Sequence, residues 1–192
     1  MLNDFLTFGI NNNYFEVKRI GNFSLAGIEG YSHINTSAIE FDKAKTNICN
    51  SLNLEQCKSC DALDILPAKN RLNFIEFKIF QDRRQLKEWI KNKSKFPKKI
   101  KDSYFILRAL LQNRLFIHKG KADKFKRANK NFIISFDLKS NPLNTIAFSL
   151  TWFQVEALIQ KELQTDYFIG ENFNTPVCIQ IRYFDSKYLS YQ

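Results

Sequence analysis

The clearest pattern of apolar and polar positions lies between residues 61 and 80. An apolar stretch at 61–66 is followed by a polar turn at 67–71, which contains Pro67 and Asn70, and by a second apolar stretch at 72–80. Two such stretches joined by a short turn with Pro and Asn predict a β-hairpin. Because side chains alternate between the faces of a strand, the second strand would carry four residues on one face. These are Phe74, Glu76, Lys78 and Phe80.

The pairing register of the hairpin decides which charged residues meet. If the turn is centred on Asn70, antiparallel pairing places Asp64 opposite Glu76. Asp61 would then lie opposite Ile79 and point to the other face, unless a bulge or a different turn shifts the register. In either case two carboxylates and the ammonium group of Lys78 can share a small patch of the sheet.

Helical and strand-like patterns intermingle along the rest of the chain. A helix is predicted from residue 38 to about residue 52, capped by Thr36 or Ser37, with Glu40 in its first turn. Pro97 is expected to end or interrupt a second helix. The mixture of elements predicts a single α/β domain over residues 1–192. The other predicted elements are strands at 14–20, 132–138 and 177–184, and helices from 81 to about 92, at 103–115 and at 154–163.

Charge and composition narrow the class of partner. The 192 residues carry a net charge of +10, and the isoelectric point is near 9.4. This excess predicts a polyanionic partner such as nucleic acid, although a genome composition that raises Lys and Asn content would have a similar effect. We find no signal-peptide pattern at the N-terminus and no apolar run near the roughly 20 residues of a membrane span. Four cysteines are too few for a disulfide scaffold, so a cytoplasmic protein with reduced thiols is expected.

Two basic stretches are candidates for contact with nucleic acid. They cover residues 83–101, which include Trp89 and Phe96, and residues 119–130. Such charges would neutralise phosphates, so the expected partner is nucleic acid, in the first place DNA, bound through its backbone without sequence readout. The alternative is a solvated lysine face. The cations are Arg83, Arg84, Lys87, Lys91, Lys93, Lys95, Lys98, Lys99 and Lys101, then Lys119, Lys121, Lys124, Lys126, Arg127 and Lys130.

An acid in the first strand, followed by Glu76-Phe77-Lys78 in the second, resembles the core motif of the PD-(D/E)xK nuclease superfamily. Two residues are candidates for the first acid. Asp61 opens the apolar run with Cys60 where the family has Pro, whereas Asp64 lies deeper in the strand. The resemblance implies an α/β fold with a restriction-endonuclease-like core, a small mixed β-sheet flanked by helices with the hairpin at its centre. An ordinary exposed hairpin with alternating charges is the alternative.

These residue types suit a metal-dependent reaction. Carboxylates on adjacent strands can bind Mg²⁺ or Mn²⁺, which polarises a phosphodiester and helps to deprotonate water. Glu76 and either Asp61 or Asp64 would bind the metal, while Lys78 would orient the attacking water. The expected function is a Mg²⁺-dependent nuclease that hydrolyses phosphodiester bonds in DNA, as a homodimer or within a larger defence or repair complex if the resemblance extends that far. The alternatives are an inactive nuclease-like fold that binds nucleic acid or protein, and a plain interaction module.

The same resemblance makes three further residues site candidates. The stretch from Gln85 to Trp89 resembles the Gln-x-x-x-Tyr helix motif of the RecB-like branch, in which the Gln would hydrogen-bond near the phosphate. Glu40 corresponds to the carboxylate that many members place beside the metal from an N-terminal helix, and His33 to a histidine ligand of some RecB-like members. Each also has a simpler interpretation. Gln85 would face solvent, Glu40 would interact with the helix dipole, and His33 would be structural or exposed.

The cysteines raise the possibility of a zinc site. Cys57 and Cys60 form a Cys-x-x-Cys pair, with Cys49 upstream. A tetrahedral site needs four ligands, and only Cys178 or His33 could complete it. A single pair is a weak zinc signal, and a small buried residue at the start of the strand would explain Cys60 equally well.

Overall fold

The protein is an α/β structure built on one six-stranded mixed sheet. The computed structural model describes residues 1–24, 33–82, 84–85, 88–89, 95–115, 125–138, 153–154, 156–157, 159–161 and 166–189. The strands are β1 (Val17–Arg19), β2 (Ser37–Glu40), β3 (Ala62–Leu66), β4 (Arg71–Phe80), β5 (Asn129–Leu138) and β6 (Val177–Gln180). The helices are α1 (Leu2–Asn11), α2 (Phe41–Leu52), α3 (Lys95–Leu110), α4 (Tyr167–Asn172) and α5 (Phe184–Tyr188).

The strands lie in the sheet in the order in which they occur in the chain. Each strand from β1 to β4 pairs antiparallel with the next, whereas β5 pairs parallel to β4 and β6 pairs parallel to β5. The predicted hairpin, β3 and β4, therefore occupies the middle of the sheet. A mixed sheet flanked by helices confirms the predicted α/β class. None of the described helices is both long enough and apolar enough to cross a membrane.

Strand β4 is buried on both faces, which explains why it reads as a nearly continuous apolar run. On one face Phe74 and Phe80 join the larger core, which is covered by α1, α2, α3 and α4. On the other face Ile75 and Phe77 pack with α5 in a smaller core. Glu76 alternates with Phe74 and Phe80, so a charged side chain enters the larger core.

The hairpin turn is centred earlier in the chain than the sequence predicts. Pro67–Lys69 form a 3-10 turn, and Asn70 follows in the left-handed region at φ 48°. This loop pairs Leu66 with Arg71, and its centre lies between residues 68 and 69. The register therefore differs by three residues from the prediction for a turn centred on Asn70. Asp64 lies opposite Asn73, and the prediction that it lies opposite Glu76 is wrong.

Glu40 lies on a strand and not on a helix. The predicted helix from residue 38 begins only at Phe41, and Glu40 is both the last residue of β2 and the N-cap of α2. Pairing of residues 37–39 with β1 and of Glu40 with Ala62 of β3 overrides the local helical pattern. The helix itself follows the predicted stripe, with Phe41, Ala44 and Ile48 buried.

The other predicted elements agree with the structure to different degrees. Helix α3 begins at Lys95, eight residues before the predicted start at 103. Pro97 lies in its first turn, where backbone N–H groups make no intrahelical hydrogen bond, so the proline does not disrupt the helix. The last predicted strand ends at Gln180 and continues as a 3-10 turn and α5. In the predicted helix at 81–92 only residues 84–85 and 88–89 are described as helical, and in that at 154–163 only 154, 156–157 and 159–161.

Candidate active site

Asp61, the residue before β3, lies beside Glu76 of β4, and Lys99 lies close to both carboxylates. The Asp61 N–H donates to the Ile75 carbonyl at 3.0 Å, and the next pair in the ladder is Ala62 with Ile75. Lys99 of α3, a helix that covers the larger core, lies 2.6 Å from Glu76 and 3.8 Å from Asp61, so both carboxylates lie on the face of that core. Asp61 is 6% exposed and Glu76 is fully buried. An Asp61 oxygen also accepts a hydrogen bond of 2.7 Å from the Phe77 N–H, which fixes its position.

Two lysines neutralise this carboxylate pair. The Lys78 ammonium, on the same face of β4, lies 2.9 Å from Oε1 of Glu76. Lys99 reaches the same oxygen from α3 at 2.6 Å, and it lies 3.8 Å from Oδ1 of Asp61. The lysine side chains are 31% and 23% exposed, so the cluster reaches the surface on their side.

Helix α3 is held against the segment that carries Asp61. The Ser103 hydroxyl accepts a hydrogen bond of 2.9 Å from the Cys60 N–H and donates one of 2.7 Å to the Lys99 carbonyl. Ser103 is completely buried. One hydroxyl therefore fixes the residue before Asp61 relative to the helical turn that carries Lys99.

Burial makes the Asp61 carboxylate costly to ionise. Burial and the neighbouring charge of Glu76 raise the pKa of Asp61 to about 7, although the two lysines and the Phe77 N–H oppose this shift. Burial lowers the pKa of Lys99, but the charges of Glu76 and Asp61 outweigh burial and leave that pKa raised. The cluster thus holds two acids close together because cations compensate their charge.

This raised pKa predicts a pH dependence of stability. Asp61 has a pKa of about 7 in the folded chain against an ordinary value of 3.8, so its contribution to folding is full below pH 4 and is lost as the pH rises through 7. The difference between these two pKa values corresponds to about 4 kcal/mol of unfolding free energy at most. In urea unfolding at several pH values, Asp61→Asn should gain stability relative to the wild type between pH 4 and pH 8. A difference that does not change with pH would contradict the assignment.

One carboxylate oxygen of the site has no hydrogen-bond donor among the described residues. Oε1 of Glu76 interacts with both lysines, whereas Oε2 is buried and has no hydrogen-bond partner in the part of the chain that the structure describes. A buried carboxylate oxygen in this state is rare and is a position for a water molecule or a cation. Oε2 is therefore the atom that a metal ion would approach.

Asp61 and Glu76 would supply two ligands of a magnesium site, and the other ligands would come from water and a substrate phosphate. Within the described ranges no group of three or more His, Cys, Asp or Glu side chains is placed to hold a metal ion. Mg²⁺ in phosphate-transfer sites is commonly bound by one or two carboxylates, with water and substrate phosphate as the other ligands. Asp61 and Glu76 supply such a pair, provided that the Lys99 ammonium moves away from them.

Asp64 belongs to the opposite face of the sheet. Its carboxylate accepts a hydrogen bond of 2.6 Å from the Tyr188 hydroxyl, which in turn accepts one of 2.8 Å from the Asn73 amide. Asp64 is 8% exposed and Tyr188 is completely buried. The structure therefore brings Asp61, and not Asp64, to Glu76. The role of Asp64 seen here is to attach α5 to the hairpin.

This arrangement predicts a structural role for Tyr188. Tyr188→Phe removes the hydroxyl that bridges Asp64 and Asn73, so we expect a loss of about 1–3 kcal/mol in the free energy of unfolding. Chemical denaturation measures this loss, and Tyr183→Phe, at a tyrosine that is 50% exposed, is the matched control. Equal stability of the two variants would contradict the assigned role of the hydroxyl.

The remaining candidates have other partners. Glu40 forms an ion pair with Lys18 and accepts a hydrogen bond of 2.6 Å from the Ser24 N–H. It lies opposite Ala62, a residue of the smaller core, so it occupies the face opposite to Glu76. The Gln85 side chain is exposed and accepts a hydrogen bond of 2.9 Å from the Gln81 N–H, as a local cap. His33 is exposed, with Nε2 3.3 Å from the Ile181 carbonyl.

Lys99 is the site residue whose role the sequence does not reveal. Its place in a basic run marks it for contact with phosphate, like Lys98 and Lys101. The signal that could reveal this role is the helical spacing of Lys99 and Ser103, which are four residues apart and therefore lie on one face of α3. That signal requires the helix to begin at Lys95, which the apolar pattern does not predict.

The four cysteines are free thiols. Cys49 and Cys60 are buried, and Cys57 and Cys178 are partly buried. Burial and the charge of Glu76 raise the pKa of Cys60 well above its usual value. Cys60 thus contributes an apolar wall behind the carboxylate pair.

No family model, curated protein or solved structure matches the chain.

Proposed function

We propose that the protein is a metal-dependent nuclease of the PD-(D/E)xK type, which hydrolyses phosphodiester bonds in DNA. The observation that carries the proposal is the placement of Asp61 beside Glu76, with Lys78 on the Glu76 carboxylate and Oε2 of Glu76 without a hydrogen-bond partner among the described residues. The motif that the sequence resembles requires these three residue types on one face of a hairpin.

In this proposal each side chain has a defined task. Asp61 and Glu76 hold Mg²⁺ or Mn²⁺, which when bound polarises the phosphodiester and favours deprotonation of water. Lys78 extends from the buried carboxylate towards solvent and donates a hydrogen bond to the attacking water or to a phosphate oxygen. Lys99 exchanges one carboxylate partner for the phosphate when substrate binds, which keeps its charge compensated.

The position of the hairpin supports this assignment of the fold. Strands β3 and β4 lie in the middle of a mixed sheet, and α2 and α3 cover the face that bears the carboxylates. A restriction-endonuclease-like core has a central hairpin of this kind, flanked by helices. This finer assignment rests on the resemblance of the motif together with the observed topology.

Exposed cations support a nucleic-acid partner. Lys98 lies on α3 next to Lys99, and Lys126 and Arg127 precede β5, all with exposed side chains. Other cations of the basic stretches are engaged, since Lys101 pairs with Asp166 at 2.6 Å and Arg84 with Glu88 at 3.0 Å. Arg83, Lys87, Lys91, Lys93, Lys119, Lys121 and Lys124 lie outside the described residues. Contacts through such charges are to phosphate, so affinity for DNA should fall steeply with salt.

One observation favours the alternative of an inactive nuclease-like fold that binds nucleic acid or protein. Lys99 contacts Glu76 and lies near Asp61, and it compensates their charge without a metal ion. A cluster that stays closed in this way would retain the fold and the basic surface but would not cleave.

A cleavage assay separates the two functions. The protein is incubated with supercoiled, linear and single-stranded DNA in Mg²⁺, in Mn²⁺ and in EDTA, beside Lys78→Ala. Cleavage that requires the metal and Lys78 supports the nuclease. Salt-sensitive binding of the same substrates without cleavage supports the inactive fold, and cleavage that survives loss of Lys78 contradicts its proposed task.

A further inference from the structure

A polar cavity lies at the end of the sheet away from the carboxylates. Its volume is about 710 Å³, within the range of small-molecule sites. One wall is the segment from Lys126 to Lys130, which leads into β5, and the other is residues 170–174, at the end of α4 and beyond it. None of these residues belongs to the carboxylate cluster.

The sheet register separates the two sites. Lys130 pairs with Leu72, four residues before Glu76 on the same face of β4. At the rise of an extended strand this spacing corresponds to about 13 Å. Helix α3 covers the sheet between them, with Lys99 on Glu76 and the Tyr104 ring 5.6 Å from the Lys130 ammonium.

The first wall presents two cations on a fixed turn. The Lys130 ammonium is buried and donates to the carbonyls of Lys126 at 2.7 Å and Ala128 at 2.8 Å. Burial lowers the pKa of Lys130 to about 8, in keeping with an internal and structural role. The Lys130 ammonium therefore fixes the conformation of this turn from the protein interior. The side chains of Lys126 and Arg127 are exposed on the turn and can contact an anion.

The second wall presents amide oxygens. The Asn174 amide nitrogen donates to the Asn131 side chain at 2.7 Å, and that of Asn172 donates to the Phe168 carbonyl at 2.8 Å. In the described part of the chain no donor reaches either amide oxygen. With their nitrogens already bound, both side chains face a ligand as hydrogen-bond acceptors, which suits the exocyclic amino group of a base.

We infer that this cavity binds a nucleoside phosphate with an amino-bearing base. Lys126 and Arg127 hold the phosphate, and the amide oxygens of Asn172 and Asn174 accept hydrogen bonds from the base. The ligand is either a free mononucleotide or the terminal nucleotide of a strand, since both have this chemistry. The inference does not depend on cleavage by the carboxylate cluster.

Calorimetric titration in EDTA tests the inference, because cleavage is then absent whatever the fate of the proposed nuclease. The probes are dAMP, dTMP, deoxyadenosine and a short 5′-phosphorylated oligo(dA). We expect dAMP to bind more tightly than dTMP or deoxyadenosine. Tighter binding of the oligonucleotide than of dAMP would identify a strand end as the ligand, and equal or weaker binding would identify the free nucleotide.

Variants locate the binding. Lys126→Ala combined with Arg127→Ala should weaken dAMP binding by about tenfold or more, since two charge-assisted contacts are lost. Lys43→Ala, at an exposed lysine on α2 outside both basic stretches, is the control and should leave binding unchanged. Glu171→Gln removes the one acid among the described residues of the lining and should tighten binding, a gain that misfolding cannot imitate. Undetectable dAMP binding by the folded wild type, or an unchanged affinity in both pocket variants, would overturn the inference.

Discussion

Glu76→Gln and Asp61→Asn are each expected to lower metal-dependent DNA cleavage by about 10³-fold, because each removes half of a two-carboxylate metal site. Metal activation of phosphate and water is worth several kcal/mol, and each 1.36 kcal/mol corresponds to tenfold in rate. The two acids lie close together on the face that also bears Lys78. Loss of either carboxylate should therefore have a similar effect.

Asp64→Asn is the matched control for this prediction. It makes the same chemical change three residues along the chain, on the opposite face and beneath Tyr188. Its cleavage rate should stay close to that of the wild type once the fraction of folded protein is measured by circular dichroism. If Asp64→Asn abolished cleavage while Asp61→Asn remained active, the assignment of Asp61 as the acid that acts with Glu76 would be contradicted.

Lys99→Met is expected to destabilise the protein in EDTA by about 3 kcal/mol, because breaking a buried ion pair leaves uncompensated charge. The Lys99 ammonium lies 2.6 Å from fully buried Glu76, and the lysine side chain as a whole is 23% exposed. A divalent cation bound by the same carboxylates would replace the lost positive charge. Mg²⁺ should therefore stabilise the Lys99→Met variant more than it stabilises the wild type.

Urea unfolding with and without Mg²⁺ measures this effect. Lys98→Met is the control, since Lys98 is an exposed neighbour on the same helix and its loss should change stability little. A Lys99→Met variant that is destabilised to the same degree with and without Mg²⁺ would show that Lys99 is a structural cation and that no metal takes its place.

The sequence predicts the central strands well because their pattern is strong. Alternation on an apolar strand identifies Glu76 and Lys78 as neighbours on one face, and the structure places Lys78 2.9 Å from Glu76. The choice between Asp61 and Asp64 depends on the register. Only the conformation of the loop decides the register, through the 3-10 turn at Pro67–Lys69 and the left-handed Asn70.

The rest of the cluster depends on contacts between segments far apart in the chain. Lys99 reaches Glu76 from a helix that begins eight residues earlier than its apolar pattern predicts, and Ser103 fixes that helix against Cys60. Glu40 has a helical local pattern, but pairing with neighbouring strands makes it the end of β2. Tertiary pairing of this kind overrides local propensity, so pattern analysis does not predict it.

Binding of Mn²⁺ is the most direct test of the claim that Asp61 and Glu76 form a cation site. Calorimetry or electron paramagnetic resonance, without DNA, compares the wild type with Asp61→Asn, Glu76→Gln and Asp64→Asn. We predict that the first two variants bind Mn²⁺ about tenfold more weakly or worse, and that Asp64→Asn binds it as the wild type does. Mn²⁺ affinity that is unchanged in Asp61→Asn and Glu76→Gln, or lost only in Asp64→Asn, would contradict this account.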